Sequence, residues 1–275
     1  MNEQQNKILT RLLDEMGKGA PAWQSPFFAM GKCNLTTGHV YTGINRFMLA
    51  TNKNAYYLTY KQAASLKGHI KKGEKGTTII FWNFVKKEDA QGETETFAYM
   101  KPYTVFSTDQ AEIPEETLTK LIEKREIELK KNQLNMSIED FLAATKAEIK
   151  HDDLTKAYYL PSSDKINLPV IGQFKNSSAY YNTALHELTH WTGHLTRLDR
   201  KMTTVYMGKE NYSKEELIAE IGSSFLSQEF GIEDIERNAG YCESWLKALR
   251  NNKSWLFHCA SQAEKAVKYL KELVM

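Results

Sequence analysis

The sequence predicts an α+β protein, with a small mixed α/β front domain followed by a helix-dominated rear domain that carries a short sheet. Three observations support this. Aromatic and β-branched runs are concentrated between residues 77 and 106, long helical periodicities lie beyond residue 111, and the charge changes sign between the two regions. Residues 1–87 hold 13 Lys and Arg against 4 Asp and Glu, a net of +9; the remainder holds 23 against 30, a net of −7, for +2 overall. A chain of 275 residues suits two medium domains better than one. Opposite signs suggest two tasks, with a basic front suited to a polyanion.

The elements follow in order. Ile8, Leu9, Leu12, Leu13 and Met16 mark an amphipathic helix ended by Gly17. YLTYKQAASLKG reads as a short helix, and GHIKKGEKGT (68–77) as a glycine-punctuated basic turn. TTIIFWNFV (77–85) and TFAYMKPYTVF (96–106) are strands separated by the turn-like KKEDAQGET. Residues 111–156 are dense in charge and helix formers, with Phe141 as their one aromatic, and read as one or two surface helices linking the domains. The domains are therefore expected at 1–110 and 157–275. In the rear, Lys165–Leu168 alternates like a strand, and helical patterns follow at about 177–192, 214–229 and 241–273.

Composition excludes several classes. With 41% apolar and 25% charged residues the chain is of the ordinary globular type. It contains no apolar run long enough for a transmembrane helix, so no membrane partner is expected, and its N-terminus is too charged for a signal peptide. Cys33, Cys242 and Cys259 are scattered and odd in number, which argues against a disulfide framework or a cysteine metal site. A cytoplasmic protein is expected.

The chemistry centres on YYNTALHELTHWTGH (180–194), where His186-Glu187-Leu188-Thr189-His190 matches H-E-x-x-H. On a helical wheel Tyr181, Ala184, Leu185, Leu188 and Trp191 form a core stripe, while His186 and His190 stack one turn apart on the other side. A lone helical histidine is usually structural. Two of them four apart, directed away from the apolar stripe, instead offer two converging imidazoles to one Zn2+ per chain. Glu187 lies beside them as the candidate general base.

A third ligand is required. His194 follows a helix-ending glycine and misses the spacing of the longer motif that continues H-x-x-G-x-x-H, whose last position is Thr196. SKEELIAEIGSSFLSQ (213–228) offers Glu216 and Glu220, again four apart, with Ala219, Ser223 and Ser227 allowing close helix approach. The E-x-x-A-E run resembles the glutamate element of thermolysin-like zincins. Carried over, Glu216 is the ligand and Glu220 the acid behind a ligand histidine. The competing reading makes Ser213-x-x-Glu216 a capping box and passes the metal to Glu220. The strand at Lys165–Leu168 is then the expected place for an extended peptide to pair. For the oxyanion, tyrosines 158, 159, 180, 181, 206 and 241 are all eligible.

In the front, aromatics interleave with lysines, the two parts of a single-strand binding surface. Trp23, Tyr41, Asn45, Arg46, Lys61, Lys71, Lys72 and Lys75 are the expected contacts. Asn45 also suits a buried turn, since Gly43-Ile44-Asn45 reads as a loop.

PAWQSPF, YTGIN, LTYKQAASLKGHIKKGEKG and YTVFSTDQ resemble the N-terminal single-stranded-DNA-binding domain of ArdC-type antirestriction proteins. AYYLPSSDKINLP, AYYNTALHELTHWTGHLTRLDR and YSKEELIAEIGSSFL resemble that family's zincin-like metallopeptidase domain. The resemblance spans nearly the whole chain in the family's domain order, with Phe27 standing where the family often has tryptophan. It implies a protein of a mobile genetic element that protects incoming DNA, with single-stranded DNA and an unidentified protein or peptide substrate as partners. Two other readings stay open: a DNA-binding protective protein with a non-catalytic metal site, and a zinc peptidase whose basic front binds protein. An intact Glu187 speaks against a purely structural site.

Overall fold

A computed structural model describes Thr10 and residues 32–49, 54–88, 94–131, 136–153, 155–200, 209–232 and 254–275. The expected N-terminal helix, Trp23, and the 241–253 part of the last helical pattern lie outside these residues. The fold is α+β. The chain divides into two compact units, one spanning 31–131 and the other including 132–275.

The first unit runs β1 (Cys33–Asn34), α1 (Ile44–Leu49), β2 (Tyr56–Leu58), α2 (Tyr60–Ser65), β3 (His69–Ile70), β4 (Thr77–Glu88), β5 (Thr94–Ser107), β6 (Ala111–Glu112) and α3 (Glu115–Lys131). Its main sheet has the order β1-β2-β5-β4, with β3 and β6 forming a separate two-stranded ladder. Thr59 and Gln62 close a capping box on α2, each side chain bonding the other's backbone N–H, which satisfies donors the first helical turn would otherwise waste. β4 and β5 pair from Thr77↔Val105 to Glu88↔Thr94, longer than the two expected strands.

Asn45 is 7% exposed and Tyr41 2%, so neither presents its side chain as a nucleic-acid contact. β4 is the edge of its sheet among the described residues, and the Asn45 amide caps that edge. It donates from Nδ2 to the Ile80 carbonyl at 2.7 Å and accepts from the Ile80 N–H at 2.7 Å. Tyr41 instead sits in the core with Leu49, Tyr57, Ile79 and Val105.

The charged segment 111–156 is shared between the units rather than forming a solvated joint. Leu118, Leu121 and Ile122 of α3 pack on the core of the first unit. Arg125 is buried and donates from Nε to the Leu35 carbonyl and from NH2 to that of Thr36, at 2.8 and 2.9 Å. Gly38 permits this, since a Cβ there would lie 2.5 Å from the guanidinium and its φ is +76°.

The second unit comprises α4 (Ile138–Ala144), β7 (Glu148–Lys150), β8 (Tyr158–Leu160), β9 (Lys165–Asn167), α5 (Ser177–Trp191), α6 (Lys209–Glu229) and α7 (Ser254–Val274). Its sheet has the order β7-β9-β8, with β7 parallel and β8 antiparallel to β9. The strand expected to receive a peptide, β9, is therefore central, and both its ladders are taken. The open edges of this sheet, among the described residues, are β7 and β8. Arg197 fastens the β8–β9 turn to the end of α5. It pairs with Asp164, donates to the Trp191 carbonyl at 2.6 Å and lies over the Trp191 ring at 3.8 Å.

Candidate metal centre

Asn176 caps α5 by accepting from the Ala179 N–H at 2.8 Å, fixing where the helix starts and hence which side its histidines share. Ala184, Leu185 and Leu188 are fully buried on the core stripe. α6 lies directly against α5. The two come close at Gly222, where a Cβ would meet Thr189 Cγ2 at 2.6 Å. Helix α6 begins at Lys209, so Ser213 falls within it and not at its N-cap. Glu216 is thus released from a capping role.

The two helices bring His186, His190 and Glu216 together, with one ligand atom from each within 4.8 Å of the others. His186 Nε2 and His190 Nε2 are 3.1 Å apart. Glu216 Oε2 lies 3.6 Å from His186 Nε2, and its Oε1 3.5 Å from His190 Nε2. Tetrahedral zinc with bonds of ~2.0–2.1 Å separates its donors by about 3.3–3.4 Å, so the donor set fits such an ion.

Behind this triangle each imidazole meets a second carboxylate. Glu220 Oε1 is 3.5 Å from His186 Nδ1, and Glu215 Oε1 is 3.2 Å from His190 Nδ1. Sequence reasoning missed Glu215; its signal was a second glutamate beside Glu216. Glu215 is held by the buried guanidinium of Arg200, at 3.0 Å from Nε and 2.7 Å from NH2. Arg200 also donates to the Thr189 carbonyl and the Thr192 hydroxyl, both at 2.7 Å, tying the centre to the end of α5.

The electrostatics favour positive charge. Burial opposes ionisation of His190, but its bonds to Glu215 and Glu216 outweigh this and push its pKa up to about 10. Burial likewise acts to raise Glu216 and Glu215. For Glu216 the two histidines prevail, and for Glu215 His190 and Arg200 do, so both carboxyls lie below their usual range. Glu187 behaves oppositely. It is 7% exposed, and burial raises its pKa against the pull of His186 and His190 and of the backbone of Tyr159.

Other expected residues lie elsewhere. His194 bonds Thr196 Oγ1 at 2.8 Å, a local turn contact. Tyr159 and Tyr181 spend their hydroxyls on Asp164 and Glu139, while Tyr180 packs against Phe174. Tyr158 is 40% exposed on β8, and Tyr206 and Tyr241 are outside the described residues. In the first unit Lys61, Lys71, Lys72 and Lys75 are exposed and Arg46 is half-buried. Lys71 Nζ donates to the Asp109 carbonyl at 2.8 Å.

Comparison with known proteins agrees with this architecture. Residues 2–106 match the N-terminal domain of anti-restriction factor ArdC, and residues 136–262 match a zincin-like metallopeptidase. Two Escherichia coli proteins named DNA primase TraC are 38% and 37% identical over 94% and 96% of this chain. The chain spans only 26% and 19% of their lengths. A Sinorhizobium fredii protein, y4eC, is 28% identical over 96% of this chain and 90% of its own. Crystal structures of the antirestriction ArdC protein of plasmid R388, metal-free and Mn(II)-bound, superpose with TM-scores of 0.77 and 0.78. They share 34% and 33% identity across 99% of this chain and 98% of theirs. Similarity over both domains, in the same order and end to end, means that the chain belongs to the ArdC family of antirestriction proteins.

Proposed function

We propose that this protein binds single-stranded DNA through its first unit and hydrolyses peptide bonds at a zinc centre in its second, serving a mobile genetic element. The observation that carries the peptidase half is the convergence of His186, His190 and Glu216 at 3.1–3.6 Å, with a buried Glu187 next in sequence to the first histidine. Manganese in the R388 ArdC protein supports a divalent ion here. Zinc held by these three residues would supply the Lewis acidity that makes a water acidic near neutral pH.

The chain's own groups do the rest. Glu215 bonds Nδ1 of His190 and Glu220 lies 3.5 Å from Nδ1 of His186; with those nitrogens carrying the proton, both Nε2 lone pairs face the shared centre. Glu187, with its carboxyl raised by burial, takes the proton of the attacking water and passes it to the leaving amine. The open edge of β8 offers its backbone to an extended peptide, beside exposed Tyr158 and Leu160. In the first unit, exposed Lys61, Lys71, Lys72 and Lys75, together with Arg46, track phosphates.

The test pairs two measurements on the full chain. Elemental analysis after zinc loading and desalting should find zinc retained by wild type and lost from His186→Ala. Equal retention by both would overturn the assignment. Binding to oligothymidylate should weaken with salt, at ~0.7 per contacted phosphate on a log–log plot; a flat response would remove the nucleic-acid half.

A further inference from the structure

The β4–β5 hairpin changes character along one face. Ile79 and Val105 are sealed in the core at 2% and 1% exposure. Two residues outward on each strand, Phe81 is half-buried against the rim of that core and Tyr103 is 37% exposed. Their ring centroids are 5.5 Å apart, edge to face. His39, exposed and drawn from a separate segment after β1, extends the cluster at 5.3 Å from Phe81. Lys101, opposite Phe81 in the ladder, places Nζ 5.3 Å from the centre of the Tyr103 ring. A strand position leaving the core ordinarily turns polar. Here three rings from different parts of the chain adjoin at the surface, with a cation over the outermost.

We infer that His39, Phe81 and Tyr103, with Lys101, form a base-stacking platform for single-stranded nucleic acid, an assignment that rests on the DNA-binding reading proposed above. Rings supply the faces that any base can stack on, and Lys101 can turn from Tyr103 to a phosphate. Charge favours this occupant. At its other end the same strand β4 follows directly on the loop that carries exposed Lys71, Lys72 and Lys75, so phosphates leaving the platform meet further cations. Aromatic faces beside cations suit a strand whose bases are unpaired; in a duplex those faces are hidden.

The full-length protein is titrated into fluorescein-labelled oligothymidylate and followed by anisotropy. Tyr103→Ala should weaken binding roughly tenfold or more, Phe81→Leu similarly, and Tyr103→Phe within about twofold of wild type. Tyr103→Ala should leave the salt slope unchanged, whereas Lys101→Ala should reduce it by ~0.7. On an abasic strand of the same length, wild type and Tyr103→Ala should bind alike, because no base remains to stack. Since Tyr103 is exposed, its truncation leaves the fold in place, which thermal melting checks. Tight wild-type binding that is unaffected by Tyr103→Ala and Phe81→Leu overturns the platform while sparing the DNA reading. No binding by wild type removes both.

Discussion

Glu215 and its neighbour Glu216 grip opposite nitrogens of one imidazole. The Glu215 carboxylate lies 3.2 Å from His190 Nδ1, and that of Glu216 lies 3.5 Å from Nε2 of the same ring. Adjacent residues of a helix point about 100° apart, so this arrangement requires His190 to enter the angle between them. It does so because Gly222 lets α5 and α6 come into contact. One carboxylate is left to hold the ring and the other to share the side that His190 turns towards His186.

That division predicts an effect of Arg200, which touches no proposed ligand side chain but fixes Glu215. Arg200→Ala should weaken zinc affinity about ten- to a hundredfold by competition with a chelating dye, and Glu215→Gln should do likewise. Arg200→Lys should restore only part, since one ammonium cannot reproduce the bidentate grip. Unchanged affinity in all three would make the network purely structural.

Glu187→Gln should abolish peptide hydrolysis while zinc content stays at the wild-type level. The isosteric amide keeps the packing but cannot accept a proton. A variant that still cleaves a peptide substrate at the wild-type rate removes Glu187 from the chemistry.

Gly222→Ala should destabilise the second unit by about 1–3 kcal/mol, because the new methyl meets Thr189 Cγ2 at 2.6 Å. Adding Thr189→Ser removes that methyl and should recover part of the loss in a non-additive way, read from denaturant melts. Additive losses would mean that the two helices do not meet there.

Asn45→Ala should cost about 2–3 kcal/mol, since it strips both partners from the Ile80 backbone at a buried strand edge. The salt slope of DNA binding should not move. A stable variant with a reduced slope would return Asn45 to the nucleic-acid surface.

Acid should loosen the β8–β9 turn. Burial acts to raise Asp164, but its bonds from Arg197 and Tyr159 outweigh this and hold its carboxyl below the usual range. A depressed folded-state pKa contributes stability that is present above the unfolded value of about 3.9 and lost as pH falls through the folded one. Thermal melts below about pH 4 should therefore show a smaller acid-induced decline in Asp164→Asn than in wild type, from a lower starting stability.

The local patterns were legible in the sequence because they depend on spacing alone. Four-residue intervals put His186 with His190 and Glu216 with Glu220 on common helix sides, and β-branched runs marked β4 and β5. What spacing cannot convey is which side of one element meets another. Only the packing of α5 on α6 gave Glu215 its place behind His190, and only the sheet order made β8 an edge and β9 the centre. Asn45 and Tyr41 carry the polar and aromatic groups of a ligand surface, yet an unpaired strand edge and an unfilled core claimed them first. Backbone groups and apolar area buried across long sequence separations set those demands, and they exist only once the chain has folded.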